Sequence, residues 1–389
     1  MSIYEELFRL RPIINAAGTM TVLGGSLMKP ETVAAMSRAA EEWVDMADLL
    51  RLAGEAIDSA LGLNPRLGGV HITAGASAAN TLAAASVLTG HDRARMAQLP
   101  DTPGFPNEIL MQPTNAGKWI GSYRAAGAKI VECRAESVFD EASNNRILGV
   151  TEEAFEAAIT ENTCAIAAIL SWEVPHVGGL SIPQLVAIGE RHNLPVIVDA
   201  AAQVPPIGTI KNLLEMGVTL VAVSGGKAIS GPNDTGMIAG RKIDLTPAVL
   251  QSSPYVGMVG RGFKVSKEQI VGLVTAVKAY VDEDADARVA EHHRRCDYLM
   301  EELAGIAAVR LEKVFPDETD LPVPRVRVHL AADSGKTVEE ITERLREETP
   351  SIRLRGGYVG AEFLNVDPST LREGEIEVVA ARIGALLRE

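Results

Sequence analysis

Short apolar runs alternate with helical patterns over the middle of the chain, from about residue 66 to residue 240. Nearly continuous apolar strands separated by amphipathic helices are typical of a parallel sheet that is covered by helices on both faces. The predicted helices are SAANTLAAASVLTG (77–90), IPQLVAIGERHN (182–193) and IKNLLEMG (210–217). The predicted strands are GVHIT (69–73), EILMQ (108–112), AKIVEC (128–133), CAIAAIL (164–170), LPVIVD (194–199), TLVAVS (219–224) and TGMIAG (235–240).

The last two predicted strands are joined by only about ten residues, which are rich in Gly, Pro and Asn. A parallel crossover usually needs roughly a dozen residues or more, with a helix among them. We therefore expect one strand of this pair to run antiparallel.

The pattern changes after Gly262. A capping box, Ser266 with Gln269, opens a helix, and the stretch from 323 to 330 alternates as a half-exposed strand. A helix over 337–348 and short strands near Arg353 and Phe363 follow. This second part predicts a smaller α+β domain whose antiparallel sheet shows one face to solvent.

Composition and charge narrow the class of protein. Hydrophobic residues make up 47% and charged residues 23% of the 389 residues, which is globular rather than disordered. The net charge of −14 argues against a nucleic-acid surface, which needs a basic patch. We interpret the acidic run DEDADA (282–287) as a solvated helix face and expect no metal site.

The cysteines and the first residues of the chain indicate the cellular compartment. The chain has three cysteines, Cys133, Cys164 and Cys296, without C-x-x-C spacing, so we expect a reducing, cytoplasmic environment. Cys164 lies in the apolar run CAIAAIL (164–170), so we expect it to pack in the core. The start of the chain is acidic and amphipathic, so we expect no signal peptide, and no apolar run is long enough to predict a membrane span.

The stretch HITAGASAAN (71–80) is the first candidate for chemistry. A strand runs into Gly75, Ala76 and Ser77, and a good helix follows. A small-residue turn at a helix N-terminus offers unpaired N–H groups and the positive end of the helix dipole, which suits a phosphate group. The alternative is that Ser77 is an ordinary N-cap.

Asp199 ends the strongly apolar run LPVIVD. The carboxyl ends of strands in an open α/β sheet face the ligand crevice, and a buried carboxylate needs a cationic or N–H partner. The alternative is that Asp199 caps the following helix.

Ser224 and Lys227 lie just past another strand end, in VTLVAVSGGKAISGPNDTGMIAG (218–240). The small neighbours of Lys227 do not crowd a planar ligand, and desolvation favours the neutral amine that a Schiff-base nucleophile requires. The residues alone leave a solvated surface lysine as an equal alternative.

Taken together, these signals resemble fold-type I pyridoxal 5′-phosphate (PLP) enzymes, specifically the group of selenocysteine synthase and its relatives. The resemblance runs from about residue 11 to the C-terminus. Its most specific motifs are RPIINAAGT (11–19), AAGAKIVEC (125–133), LVAIGERHNLPVIVDAAAQ (185–203) and VSGGKAISGPNDTGMIAGRK (223–242). It implies an aspartate aminotransferase-like α/β fold with a mostly parallel seven-stranded sheet and a smaller C-terminal domain.

The resemblance also implies roles for single residues. Lys227 would form the Schiff base with PLP and then serve as general base and acid at the substrate Cα. Asp199 would pair with the ring nitrogen, which makes the ring an electron sink. Gln203 would bind the ring hydroxyl. The phosphate would be held by Gly75, Ala76, Ser77 and Ser224.

Two further sets of candidates stay open. Trp119 or His176 would stack on the cofactor ring, although Trp119 could be ordinary core and His176 a loop residue. Arg355, or else Arg353, would bind the substrate carboxylate through its guanidinium fork. Arg261 would contact phosphate or substrate, or else lie at a surface or interface.

The resemblance implies three regions: residues 1–60 cover the cleft and join the small domain, 61–262 form the large PLP-binding domain, and 263–389 form the small domain. It also implies at least a homodimer. The tRNA-dependent members carry an N-terminal tRNA-binding domain for which there is no room before residue 11, so we set selenium transfer aside.

The leading hypothesis for activity is α,β-elimination from an amino acid or amino sugar acid, giving a 2-oxo acid and ammonia, as in D-glucosaminate 6-phosphate ammonia lyase. Racemisation or epimerisation needs the same carbanion and is the alternative, ahead of transamination and thiolase-like acyl transfer. A hypothesis of another class is a ligand-binding relative that has lost the cofactor. Whether the substrate is phosphorylated stays open.

Overall fold

The computed structural model describes residues 2–64, 68–113, 119–140, 145–170, 178–255, 257–307, 309–317, 319–331, 334–356 and 362–389, with backbone only for 138–140 and 145–148. The helices in these ranges are α1 (Ile3–Phe8), α2 (Pro30–Ala39), α3 (Met46–Leu61), α4 (Gly75–Thr89), α5 (Arg93–Gln98), α6 (Gly121–Ala125), α7 (Glu152–Glu156), α8 (Ile182–His192), α9 (Thr209–Glu215), α10 (Lys242–Gln251), α11 (Lys267–Val281), α12 (Ala285–Leu303), α13 (Val338–Glu347) and α14 (Glu375–Arg388). The strands are β1 (Ile13–Ala16), β2 (Gly69–Thr73), β3 (Glu108–Met111), β4 (Lys129–Glu132), β5 (Glu136–Asp140), β6 (Asn145–Gly149), β7 (Thr163–Ile169), β8 (Val196–Asp199), β9 (Leu220–Ser224), β10 (Gly236–Gly240), β11 (Val309–Val314), β12 (Arg325–Leu330), β13 (Ser351–Leu354) and β14 (Phe363–Val366).

The chain divides into a larger unit, residues 28–282, and a smaller unit formed by residues 1–27 and 283–389. The boundaries expected from the sequence, after residues 60 and 262, fall elsewhere. Helix α11 stays with the larger unit because it packs along α2 and α3 and buries Ile270, Leu273 and Val277 in the core of that unit. The first residues of the chain join the smaller unit by adding β1 to it.

The larger unit contains the predicted seven-stranded sheet, in the order β2-β10-β9-β8-β7-β3-β4. Each predicted strand lies within two residues of its observed bounds. Strand β10 runs antiparallel to both β2 and β9, and the other neighbours are parallel. The expected antiparallel strand is therefore β10, whose connection to β9 is too short for a helical crossover.

Each face of this sheet carries its own core, because side chains alternate along a strand. On β8, Val196 and Val198 pack with α8 and α9, whereas Ile197 packs on the opposite face with α4. Helix α4 is alanine-rich and almost wholly buried, and it crosses β10, β9, β8 and β7. A helix that is apolar on nearly every side is one that lies inside a protein.

The start of α4 sits directly on the sheet. A Cβ at Gly236 of β10 would lie 2.5 Å from the carbonyl carbon of Gly75 and 2.7 Å from the nitrogen of Ala76. Glycine at position 236 therefore lets the first turn of α4 approach the strand closely. This contact fixes where the helix begins.

The smaller unit has a three-stranded antiparallel sheet, β11-β12-β14, and a parallel pair, β1 with β13. Its core includes Val326, Leu364 and Ile383. A buried ion cluster joins its elements: Arg325 lies 2.6 Å from Asp317 and 3.1 Å from Asp367. The expectation of an antiparallel sheet in a small α+β unit agrees with these strands.

Some local features differ from the sequence interpretation. The hairpin β5–β6 was not predicted, and neither were α5 and α10. The acidic run 282–287 is a junction rather than one helix face: Asp282 ends α11, and Asp284 caps α12 by accepting from the backbone N–H groups of Asp286 and Ala287. No helix among the described residues is long and apolar enough to span a bilayer.

His71 lies on β2 and is only 4% exposed. Burial lowers the pKa of His71 to about 4, so the ring is neutral in the folded protein at pH 7. In the unfolded chain its pKa is about 6.5. The unfolded state therefore takes up this proton first as the pH falls, and stability is lost between about pH 6.5 and about pH 4.

We expect the Gly236→Ala variant to lose about 1–3 kcal/mol of unfolding free energy, because the added Cβ collides with backbone atoms at the start of α4. Urea unfolding followed by circular dichroism measures this. Gly121→Ala is the matched control, since no described atom lies within 4 Å of the Cβ position there. Equal stability of the two variants would show that the close approach at Gly236 is unimportant.

We expect His71 to contribute about 2 kcal/mol to the loss of stability between pH 7 and pH 5. A His71→Asn variant has no titrating ring, so its unfolding free energy should fall less over this range than that of the unaltered protein. Urea unfolding of both proteins at both pH values measures the difference. An identical fall in the two proteins would contradict the assignment.

Candidate active site

Strands β2, β8 and β9 end at the same edge of the sheet of the larger unit, since they are mutually parallel. Their last residues are Thr73, Asp199 and Ser224. The phosphate-turn candidate follows β2, and Lys227 follows β9. The phosphate-turn candidate, Asp199, Ser224 and Lys227 thus follow strands that end at one edge, as expected for the ligand crevice of an open α/β sheet.

Asp199 is 6% exposed at the end of β8. Its Oδ1 accepts the backbone N–H of Ala201 at 3.0 Å, and its Oδ2 accepts the side-chain amide N–H of Asn80 at 2.7 Å. Asp199 does not cap the next helix, because α9 begins at Thr209 with Gly208 as its N-cap. The alternative interpretation of Asp199 is therefore wrong.

Burial raises the pKa of Asp199, although the N–H donors of Ala201 and Asn80 and the charge of Lys227 act in the opposite direction. The donors and the charge around Asp199 therefore do not fully offset the effect of burial on its carboxylate. A protonated ring nitrogen is the kind of group that would supply the missing positive charge. This is one observation that the residues present fit PLP.

Lys227 is half-buried in the turn after β9. Its carbonyl accepts the N–H of Ser230 at 2.9 Å, and Gly225 donates to the carbonyl of Thr235 at 2.8 Å. The charge of Lys227 acts on Asp199, so the two side chains belong to the same site. The half-burial of Lys227 and the effect of its charge on the pKa of Asp199 favour the functional alternative over a fully solvated surface lysine.

Gly225 and Gly226 were expected to be small so that a planar ligand is not crowded, but the structure gives a different physical reason for glycine at these positions. A Cβ at Gly225 would lie 2.4 Å from Oγ1 of Thr235, and one at Gly226 would lie 2.4 Å from Cα of Asn233. These positions face packed protein rather than open space. Glycine is needed there because the turn folds back on residues 233–235, and not to leave room for a flat ligand.

The phosphate-turn candidate has the expected backbone. Gly75 begins α4 with φ of +85°, no described atom lies within 4 Å of its Cβ position, and its N-cap Ala74 provides no side-chain cap. The first N–H groups of a helix have no intrahelical partner. Ser77 is not the N-cap, because it lies inside the first turn, and its exposed Oγ is 2.6 Å from Oγ of Ser122.

Three polar residues of this site were missed by the sequence interpretation: Asn80, Ser122 and Tyr123. The hydroxyl of Tyr123 donates to Oδ1 of Asn80 at 3.3 Å. Asparagine is a poor helix former, so Asn80 among the alanines of α4 was a usable signal. Ser122 and Tyr123 lie in α6 and had no such signal, because only the fold brings them to α4.

The remaining cofactor candidates differ in what surrounds them. Gln203 is half-buried in the turn after β8, where its N–H donates to the carbonyl of Ala200. Ser224 pairs with Gly236 in the sheet. Trp119 is 46% exposed and is therefore not a core residue; its carbonyl accepts the N–H of Ser122. His176 lies outside the described residues.

The arginine candidates lie in different surroundings. In the smaller unit, Nη1 of Arg353 donates to the carbonyl of Arg346 at 3.1 Å and to Oγ of Ser351. The guanidinium of Arg353 is thus hydrogen-bonded to residues near it in the sequence. Nη1 of Arg355 donates to the carbonyl of Ala17 at 3.3 Å and lies 4.0 Å from Asp367. Arg261 is exposed in the larger unit, in the turn after α10. Their roles stay predictions.

Cys164 fits its expected packing role. Its thiol donates to the carbonyl of Glu108 at 3.3 Å, and burial raises the pKa of Cys164 to about 12. A thiol with so high a pKa is no nucleophile at neutral pH.

The fold and this edge of the sheet define a fold-type I PLP enzyme. A solved structure of D-glucosaminate-6-phosphate ammonia-lyase matches with a TM-score of 0.81 and 29% identity, covering 100% of this chain and 98% of that one. A profile of the DegT/DnrJ/EryC1/StrS aminotransferase family matches residues 120–230. Both findings agree with PLP as the cofactor.

Three named relatives, two of them matched over nearly the whole chain, narrow the class of PLP enzyme. D-glucosaminate-6-phosphate ammonia lyase of Salmonella typhimurium is 30% identical over 98% of this chain and 97% of its own length. The 5′-C-glycyluridine monooxygenase-decarboxylase of a Streptomyces species is 30% identical over 97% of this chain and 90% of its own. The L-seryl-tRNA(Sec) selenium transferase of Geobacter metallireducens is 25% identical over 60% of this chain and 55% of its own.

The chain belongs to the selenocysteine synthase-like family of PLP enzymes that includes D-glucosaminate-6-phosphate ammonia lyase. The resemblance in its motifs is thereby confirmed.

If Ser77 binds the phosphate as predicted, Ser77→Ala should weaken PLP binding to the apoprotein roughly 5- to 20-fold, because one hydroxyl donor would be lost. The affinity for pyridoxal, which lacks the phosphate, should stay the same. Absorbance titration of apoprotein with each compound measures both. Ser37→Ala removes an exposed hydroxyl that bonds only a helix carbonyl and is the control. Equal weakening of pyridoxal binding would place Ser77 outside the phosphate site.

Proposed function

We propose that this protein is a PLP-dependent ammonia lyase that acts on an amino acid or amino sugar acid. The support for the reaction is the end-to-end likeness to D-glucosaminate-6-phosphate ammonia lyase, a relative whose whole length the chain matches. The support from the molecule itself is the pair of Lys227 and Asp199 at one edge of the sheet. We also propose a cytoplasmic homodimer, on the strength of the family resemblance and of the free cysteines.

The division of labour in this proposal is simple. PLP, when bound, delocalises the electron pair left at the substrate Cα. Lys227 as a neutral amine takes the Cα proton. The electron pair would form the Cα–Cβ double bond as the β substituent leaves with the proton that Lys227 gives back, and the enamine, once released, would tautomerise to an imine that water hydrolyses to a 2-oxo acid and ammonia. Asp199 stays ionised throughout and provides the negative charge that keeps the ring nitrogen protonated.

The other site residues complete the proposal. Gly75, Ala76, Ser77 and Ser224 hold the phosphate with N–H and hydroxyl donors. Gln203 binds the ring hydroxyl, and Trp119 or His176 stacks on the ring. Arg355 binds the substrate carboxylate, because its side chain is less committed to its own strand neighbours than that of Arg353.

A second candidate reaction has a specific observation behind it. The Streptomyces relative has the same identity to this chain as the ammonia lyase, and its name describes a monooxygenase-decarboxylase. The same cofactor site would then serve loss of CO₂ with consumption of O₂ instead of elimination.

We expect incubation with D- and L-amino acids and amino sugar acids, D-glucosaminate 6-phosphate among them, to release a 2-oxo acid and ammonia in equal amounts. Hydrazone formation, an ammonia assay and chiral chromatography measure the products. Lys227→Ala should lower the rate by roughly 10²–10⁴-fold, since the general base is lost. Lys211→Ala is the matched control, because Lys211 is a partly exposed lysine of α9 that lies 3.9 Å from Glu215.

Each alternative has its own outcome in this experiment. Inversion at Cα without a 2-oxo acid would replace the lyase by a racemase. CO₂ release with O₂ uptake would favour the monooxygenase-decarboxylase reaction. A protein that gains no absorption band with PLP, and that borohydride does not link to PLP through Lys227, would be a non-catalytic ligand-binding relative.

A further inference from the structure

A buried asparagine connects α4 to the end of β8. Asn80 is 2% exposed, and its side-chain N–H donates to Oδ2 of Asp199 at 2.7 Å. It lies five residues into α4, which corresponds to a rise of about 7.5 Å from Gly75. Since α4 crosses the sheet from β2 toward β8, this position brings the amide over the carboxylate. One helix thus carries both the phosphate turn and a partner of Asp199.

Tyr123 fixes the orientation of that amide. The ring of Tyr123 is fully buried, and its hydroxyl donates to Oδ1 of Asn80 at 3.3 Å. Burial and the nearby Asp199 charge raise the pKa of Tyr123 well above its ordinary value, so the phenol keeps its proton. A carboxylate can only accept hydrogen bonds, so the amide must turn its N–H toward Asp199 and its oxygen toward Tyr123.

The hydrogen bonds from Tyr123 to Asn80 and from Asn80 to Asp199 act on the carboxyl group of Asp199, whose charged form burial disfavours. A hydrogen bond from an amide N–H to a carboxylate stabilises the ion and not the acid. Among the described residues, Lys227 is the titratable group whose charge lowers the pKa of Asp199, whereas the charge of Asp199 raises the pKa of Tyr123, which stays neutral. The Asn80 donor therefore matters for the charge as well as for the orientation of Asp199.

We propose that Asn80, held by Tyr123, is the positioning residue that keeps Asp199 ionised and in a single orientation for the ring nitrogen of PLP. The inference rests on the proposed role of Asp199 in the cofactor site. A residue that only filled space could be replaced by leucine, which has a similar shape. A residue that donates to the carboxylate could not.

The test uses apoprotein reconstituted with PLP that carries ¹⁵N in its ring, and it reads two quantities besides activity. The ¹⁵N chemical shift reports whether the ring nitrogen is protonated, and titration gives the dissociation constant. In Asn80→Leu, Asp199 becomes a stronger base and the shared proton moves from the ring nitrogen to the carboxyl. We expect the resonance to move toward neutral pyridine and PLP to bind roughly 10- to 100-fold more weakly.

Two further variants separate this role from a general loss of packing. Tyr123→Phe keeps the ring and removes the donor to Asn80, so we expect the same changes with a smaller loss of affinity, roughly 2- to 10-fold. In Asn80→Asp the new carboxyl can donate to Asp199 only while it is protonated. Its ¹⁵N shift should resemble that of the unaltered protein at acidic pH and move toward neutral pyridine as the pH rises.

Ser86→Ala is the matched control. It removes a buried hydrogen bond of the same helix, from Ser86 to the carbonyl of Asp244, away from Asp199. We expect it to lower the unfolding midpoint without moving the ¹⁵N resonance.

The outcomes distinguish this inference from the proposed function. If Asp199→Ala moves the ¹⁵N resonance while Asn80→Leu and Tyr123→Phe leave it and the dissociation constant unchanged, the positioning role is wrong and the cofactor role of Asp199 stands. If Asp199→Ala also leaves the resonance unchanged, both are wrong.

Discussion

The larger unit is organised around one buried carboxylate. Asp199 ends β8 inside the protein, where its charge is costly without compensation. Compensation comes from the backbone turn at Ala201, from Asn80 on α4 and from the charge of Lys227 after β9. Each of these groups belongs to a different element, so the carboxylate depends on how β8, α4 and β9 are placed. That placement depends in turn on Gly236, which lets α4 start against β10.

The sequence predicted the backbone framework of this site well. Apolar runs, strand ends and a glycine turn identify Asp199, Lys227 and Gly75, because each follows from local spacing. Asn80 and Tyr123 are different. Asn80 reaches Asp199 because α4 crosses the sheet, and Tyr123 reaches Asn80 because α6 packs against α4; the unusual asparagine in α4 marks a residue of interest but does not reveal its partners. The glycines beside Lys227 show the same limit, since their partners at 233–235 are known only from the folded turn.

The smaller unit also contains a buried carboxylate, Asp367, but here arginine side chains lie beside it. Asp367 is almost wholly buried, and the charge of Arg325, the hydrogen bonds from Ser369 and the charge of Arg355 hold its pKa below its ordinary value, against the effect of burial. A Cβ at Gly18 would lie 2.5 Å from Oδ2 of Asp367, so the N-terminal segment passes close to this carboxylate. The guanidinium of Arg355 is thereby held by two distant parts of the chain, Ala17 and Asp367. An arginine held this way loses little freedom when it binds a carboxylate.

Relatives of this chain are named for different reactions, an ammonia lyase and a monooxygenase-decarboxylase. Proton removal and decarboxylation both leave an electron pair at Cα, so the roles proposed for Lys227 and Asp199 suit either reaction. What differs is the bond at Cα that the enzyme holds in the reactive orientation, and orientation comes from groups that bind the substrate rather than the cofactor. The carboxylate-binding group is foremost among these, because a bound carboxylate cannot leave. If Arg355 has the proposed role, its two contacts in the smaller unit, with Ala17 and Asp367, would help it to retain the carboxylate and would favour loss of the proton.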